Sequence, residues 1–207
     1  EGDVITPHYD PMIAKLVARG PTRAVALRRL AAALGRTEVA GTVTNLAFLG
    51  ALAHHAGFAA GDVDTGLIAR DLDALAAAPA PRAAEVALAA LAAAGLLDVE
   101  DPATGFTLWT PLARDVILRR DGAERIVRIR SRSADAHDVV VDTETVAARR
   151  VGGRWQLDGA AAPEVAVTPG RVTVFSQYGL GFEVVEPLER AQAAAGDAGL
   201  IEAPMPG

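Results

Sequence analysis

Eight short β-rich runs follow one another between Asp115 and Val185, and that crowding limits the fold more than any other feature of the chain. They are Asp115–Leu118, Arg125–Arg130, Asp138–Val141, Thr145–Val151, Trp155–Leu157, Val165–Thr168, Val172–Phe175 and Phe182–Val185. Asp121-Gly122, Gly152-Gly153 and Pro169-Gly170 lie between successive runs and supply the turn chemistry of tight hairpins. Short strands at regular spacing predict an antiparallel sheet closed on itself, an eight-stranded β-barrel or sandwich.

Before Thr107 the pattern is helical. Thr22 is an N-cap for a helix whose Ala24, Leu27, Leu30, Ala31 and Leu34 recur at helical spacing, and Gly35 ends it. A second helix starts at Thr44-Asn45 and stops before Gly57; a third covers about Leu67–Leu75. Val4–Thr6, Met12–Val17 and Thr37–Ala40 read as short strands. Pro79 and Pro81 bar a continuous helix and make residues 76–82 a linker. Ala83–Leu97 is then a helix too apolar to stand alone. It is expected to bury its Val86, Leu88, Leu91 and Leu96 side against the barrel. The class is α+β, with domains at 1–75 and 83–187, a second link at 188–200 and a further start at 201–207.

Composition excludes several chemistries. Hydrophobic residues make up 51% of the chain but aromatics only 4%, so the core is built of Ala, Val and Leu. The absence of cysteine removes disulfides, thiolate nucleophiles and zinc–thiolate sites, which suits a reducing cytoplasm. No apolar run reaches the ~18 residues that span a bilayer, and a net charge of −6 argues against nucleic acid. Residues 114–154 hold ten arginines, but seven acids interleave with them, so the stretch reads as the solvated outer face of the barrel. Arg119, Arg120, Arg125 and Arg128 are the candidates there for docking an acidic partner surface.

Other residues read as structural. The adjacent His54 and His55 point about 100° apart on a helix, so they form a solvated helix end rather than a chelating pair. Asp62 and Asp64 precede a helix and read as caps. No Gly-x-Ser-x-Gly elbow occurs, and Gly179-x-Gly181 is too short for a nucleotide fingerprint. Lys15 is the only lysine and lies in an apolar run, Met12-Ile13-Ala14-Lys15-Leu16-Val17, not between methionines. No catalytic, cofactor-binding, biotinylated or metal-ligating residue is expected.

Three strings carry a resemblance. Tyr9-Asp10-Pro11-Met12, Gly41-Thr42-Val43-Thr44-Asn45 and Gly61-Asp62-Val63-Asp64-Thr65-Gly66 occur in the order found at the end of the biotin carboxylase ATP-grasp fold. Residues 201–207 end in Ala-Pro-Met-Pro-Gly, similar to the opening of a biotin carboxyl carrier domain. The part between, with Gly153-Arg154-Trp155-Gln156-Leu157-Asp158-Gly159 and Val172-Thr173-Val174-Phe175, resembles the domain that joins the two in methylcrotonyl- and propionyl-type α subunits.

The resemblance implies the middle of an acyl-CoA carboxylase α subunit, cut at both ends. The parent would use ATP, Mg²⁺, bicarbonate and biotin, and a carboxyltransferase β subunit would dock on the barrel. Tyr9, Asp10 and Met12 would flank the active site or the α-subunit self-association face, while the groups that handle ATP would precede this segment. A freestanding regulatory or binding module is the alternative the residues allow.

Overall fold

The computed structural model describes residues 12–98 and 110–186. Two compact units divide at residues 78 and 79, with the short stretch 38–43 grouping with the second.

The first unit carries α1 (Arg23–Gly35), α2 (Leu46–His54), α3 (Ala56–Ala60), α4 (Leu67–Arg70) and α5 (Leu72–Leu75). Thr22 caps α1 as expected, its Oγ1 accepting from the Val25 N–H at 3.4 Å. Gly20 is required by space, because a Cβ there would lie 2.6 Å from the Ala26 nitrogen. Arg29 donates to the Arg19 carbonyl at 2.6 Å and ties the incoming chain to the helix. Leu34, Leu46, Ala53, Leu67 and Leu75 are the buried apolar residues of this unit.

Three expectations change here. The helix expected over Leu67–Leu75 breaks into α4 and α5 at Asp71, whose backbone leaves helical geometry. The Asp71 carboxylate lies 3.2 Å from His55 Nε2, and aspartate is a weak helix former that competes for local partners. Met12–Val17 forms no strand; its Met12, Ile13 and Val17 are 61%, 54% and 81% exposed. A strand needs a neighbour for its N–H and C=O groups, and no described residue pairs with this one. Thr37–Ala40 is not a strand either: Thr37 turns back to close α1, its hydroxyl donating to the Ala33 carbonyl at 2.9 Å. Val4–Thr6 lies outside the described residues.

The second unit contains α6 (Ala83–Ala93) and nine antiparallel strands. These are β1 (Leu112–Arg120), β2 (Ala123–Ser133), β3 (Ala136–Val141), β4 (Glu144–Val151), β5 (Arg154–Leu157), β6 (Ala160–Ala161), β7 (Val165–Thr168), β8 (Arg171–Val174) and β9 (Leu180–Val185). All eight expected runs are strands, and the two-residue β6 is the addition. Asp121 and Gly122 both have positive φ, 50° and 77°, as a type I′ hairpin requires.

The sheet is not the closed barrel the spacing suggested. Its order is β6-β5-β4-β3-β2-β1-β9-β8-β7, leaving β6 and β7 as unpaired edges. Only residues 162–164 separate those edges in the chain, so the sheet curls until they lie within ~15 Å. The seam stays open for a physical reason. An eight-stranded barrel has room only for side chains, and a helix with its side chains is ~10–12 Å across. Here α6 fills the curl, touching β1, β2, β3, β4, β7 and β8.

The helix is buried on every side, not on one stripe. Val86, Leu88 and Leu91 are buried, but so are Ala87, Ala89 and Ala90 between them. Alanine lets strands approach from several directions, which explains why this helix is apolar all round. Val127, Ile129, Val139, Val141, Val146, Ala148, Val172, Val174 and Leu180 line the inner face against it. Each fully buried Leu or Val contributes ~1.5–3 kcal/mol relative to exposure.

Candidate functional site

Of the residues expected to flank an active site, Tyr9 and Asp10 lie outside the described residues. Met12 is exposed in the irregular run before α1. The glycine turn reads as expected in one respect: Gly41 has φ +84°, open only to glycine without strain. Asn45 occupies the N-cap position of α2 but makes no side-chain capping bond.

Asp64 acts as a turn-closing group. Its Oδ1 accepts from the Gly66 N–H at 2.7 Å, and both carboxylate oxygens accept from Arg70 at 2.9 Å. The Arg70 guanidinium, with the Gly66 N–H, holds this carboxyl below its ordinary value. His54 and His55 are separated as expected, but His55 is more than a solvated end. Its Nδ1 accepts from the Phe58 N–H at 3.2 Å as the cap of α3, while His54 turns to the Gly50 carbonyl at 2.8 Å. Among the described residues no three His, Asp or Glu side chains gather as a metal ion needs. Lys15 is exposed in the irregular run before α1.

The four docking candidates are divided by strand alternation. Arg119 on β1 and Arg128 on β2 face outward: Arg119 donates to Glu124 at 2.7 Å, and Arg128 meets both Asp115 oxygens at 2.8 Å. Arg128 holds the Asp115 carboxyl below its usual range. Arg120 points the other way, sharing the Leu118 side of β1. It donates to the Pro79 carbonyl at 3.2 Å and sits 5.9 Å from the Phe182 ring centre. Arg125 lies opposite Leu118 in the register, so it too is off the Arg119–Arg128 face. Arg132 and Arg149 complete the outward rows by clasping Asp138. Burial works to raise the Asp138 carboxyl, but hydrogen bonds from Arg149 and Arg132 outweigh it and hold the group low.

Two polar clusters that sequence reasoning missed sit at the ends of α6. At the amino-terminal end, Glu85 is 1% exposed. It accepts from the Arg82 backbone N–H at 2.8 Å, the Arg82 guanidinium at 2.6 Å, the Ser176 hydroxyl at 2.8 Å and the Gln177 amide at 2.8 Å. Burial pushes this carboxyl up, and the Arg82 and Ser176 bonds more than reverse it. The signal was present: an acid three residues after Arg82, opening an otherwise apolar helix. At the carboxyl-terminal end, Arg114 donates to the Ala94 carbonyl at 2.9 Å and Trp155 to Leu97 at 2.9 Å. Acid at the first turn and a cation at the last both suit the helix dipole. His137 stacks on Trp155 with ring centres 5.4 Å apart.

Known proteins match the first unit. Residues 1–70 match the biotin carboxylase C-terminal domain family, which covers all three strings that carried the resemblance. Among individual relatives, the mitochondrial methylcrotonoyl-CoA carboxylase subunit alpha of Glycine max is 53% identical over 68 residues, 33% of this chain and 9% of that protein. The Dictyostelium discoideum protein of the same name is 43% identical over 97 residues, 47% of this chain and 14% of that one. The propionyl-CoA carboxylase alpha chain of Ruegeria pomeroyi is 46% identical over 71 residues, 34% of this chain and 10% of its own. The chain thus spans about a tenth of the length of these relatives. The resemblance to biotin-dependent carboxylase α subunits holds for the amino-terminal third. No helix among the described residues is long and apolar enough to cross a membrane.

Proposed function

We propose that this chain is a central part of a biotin-dependent acyl-CoA carboxylase α subunit. In that reading the helix-filled sheet docks a carboxyltransferase β subunit, and α subunits associate through the first unit. The observation that carries it is succession: a biotin carboxylase C-terminal match over residues 1–70 runs directly into a self-contained sheet wrapped on α6. The compartment of the proposal is the cytoplasm, on the strength of the cysteine-free composition.

The parent enzyme would draw on ATP, Mg²⁺ and biotin to carboxylate an acyl-CoA. Residues of this chain supply position. A docking module fixes how far a tethered biotin must travel, and tethering raises its concentration at each site. Arg119 and Arg128, rather than Arg120 and Arg125, offer the outward docking face, since they share one side of adjacent strands. The chain by itself carries out neither half-reaction. Bicarbonate-dependent ATP hydrolysis at the buffer rate, and no streptavidin signal after treatment with biotin ligase, are the expected results. Hydrolysis above buffer, or labelling at Lys15, would overturn this part.

A further inference from the structure

The described residues contain one buried side-chain nitrogen with no hydrogen-bond partner, Nε2 of His137. His137 is fully buried on β3, on the same face as Val139 and Val141 and opposite Ser131 of β2 and Ala148 of β4. Its other nitrogen, Nδ1, lies 3.0 Å from the Ser131 hydroxyl. A neutral imidazole needs only one acceptor, whereas an imidazolium needs one for each nitrogen. The surroundings therefore suit the neutral ring.

The same ring is part of a physical connection. It stacks on Trp155 of β5 at an interplanar angle of 29°, and the Trp155 indole donates to the Leu97 carbonyl just past α6. This stack fastens the carboxyl-terminal end of the helix to the sheet.

The charged groups that face His137 cannot neutralise an added proton. Arg149 comes from β4 and donates to the His137 backbone carbonyl at 2.7 Å, so it opposes a second positive charge. Asp138, next along β3, is already held by Arg149 and Arg132. Asp135, in the β2–β3 turn, has Arg150 at 3.8 Å. Ser131 and Trp155 are uncharged. Burial, the largest influence, pushes the imidazole below its ordinary value, and Arg149 acts in the same direction; the Ala134 backbone, then Asp135 and Asp138, act against it without reversing it.

We propose that His137 is a proton-operated release for the carboxyl-terminal end of α6. Protonation places a charge where Nε2 has no acceptor, and opening of the Trp155 stack lets the ring reach water. The device belongs to the sheet unit alone and stands whether or not that unit docks a carboxyltransferase.

The test is solution NMR of the whole chain from pH 8 to pH 5. It follows the ¹⁵N resonances of the His137 ring and hydrogen exchange of the Trp155 indole N–H, identified with W155F and corrected for intrinsic exchange. An opened His137 has the ordinary value of about 6.5. If opening takes up one proton, its equilibrium constant rises up to tenfold per pH unit below that point and is flat above it. We expect that acceleration in the wild-type chain and its absence in H137Q. Indole exchange that ignores pH, or H137Q that keeps the acceleration, overturns the proposal. Should H137Q fail to fold, the wild-type ring decides: titration at the ordinary value, with the indole still protected, overturns it equally.

Discussion

Gln177 and Glu85 are 92 positions apart in the chain, and the Gln177 amide donates to the Glu85 carboxylate at 2.8 Å. That bond helps hold a turn in which two consecutive non-glycine residues, Gln177 and Tyr178, sit at φ 47° and 69°. Left-handed geometry at such residues persists only when the surroundings impose it. Glu85 supplies that imposition, because one buried carboxylate engages both the start of α6 and the β8–β9 turn.

Replacing Glu85 with Ala should therefore cost about 1–3 kcal/mol, since the part-buried Ser176 and Gln177 and the exposed Arg82 all lose their buried acceptor. E85Q, which keeps the shape, should cost less. The pH dependence has a definite sign. The folded carboxyl is held below its unfolded value, so its contribution is complete above about pH 4.3 and fades as pH falls through the folded value. Urea melts from pH 7 to 3 should show wild-type losing more stability than E85Q over that descent. Parallel curves would remove Glu85 from the account.

Leu91 is completely buried at the centre of the curl. L91D places an unpaired carboxylate there and should cost about 3 kcal/mol or more. L91A, which leaves a cavity instead, should cost about 2–5 kcal/mol. Chemical denaturation measures both. A small change for either would mean that the helix does not fill the sheet.

W155F keeps an aromatic ring beside His137 but removes the donor to Leu97. A loss of about 1 kcal/mol is expected, with faster amide exchange confined to the last turn of α6 before any global change. Uniform acceleration throughout the sheet would contradict a local fastening.

Neighbouring arginines should behave differently on charge reversal. R119E and R128E disturb only exposed pairs and should leave the melting temperature nearly unchanged. R120E should lower it clearly, because Arg120 is 17% exposed and packs on Phe182 and the Pro79 carbonyl. Equal shifts in thermal melts would refute the assignment of faces.

The sheet was readable in advance because alternation and turn residues both act locally. β6 escaped notice although Asp158-Gly159 marks its hairpin, since Ala160–Ala161 lacks β-branched side chains. The open seam was not readable, because it depends on α6 entering the curl, a contact between distant segments. Arg119 and Arg120 are neighbours in a run of arginines and read as one patch, yet a period of two puts them on opposite faces of β1. Nothing local marks the contacts of Glu85 and His137, because their partners, Gln177 and Trp155, lie elsewhere along the chain. Met12–Val17 has strand composition, but composition cannot provide a neighbouring strand.

The proposed docking of a carboxyltransferase on the α6-centred sheet is tested most directly by titration. The intact chain would be titrated with the carboxyltransferase β subunit of its own organism by calorimetry, beside R119E/R128E as a folded control. Saturable binding by the wild-type chain is expected, with weaker binding by the double variant at unchanged melting temperature. No heat of binding from a correctly folded chain would contradict the docking role, and undiminished binding by the double variant would contradict the face assigned to it.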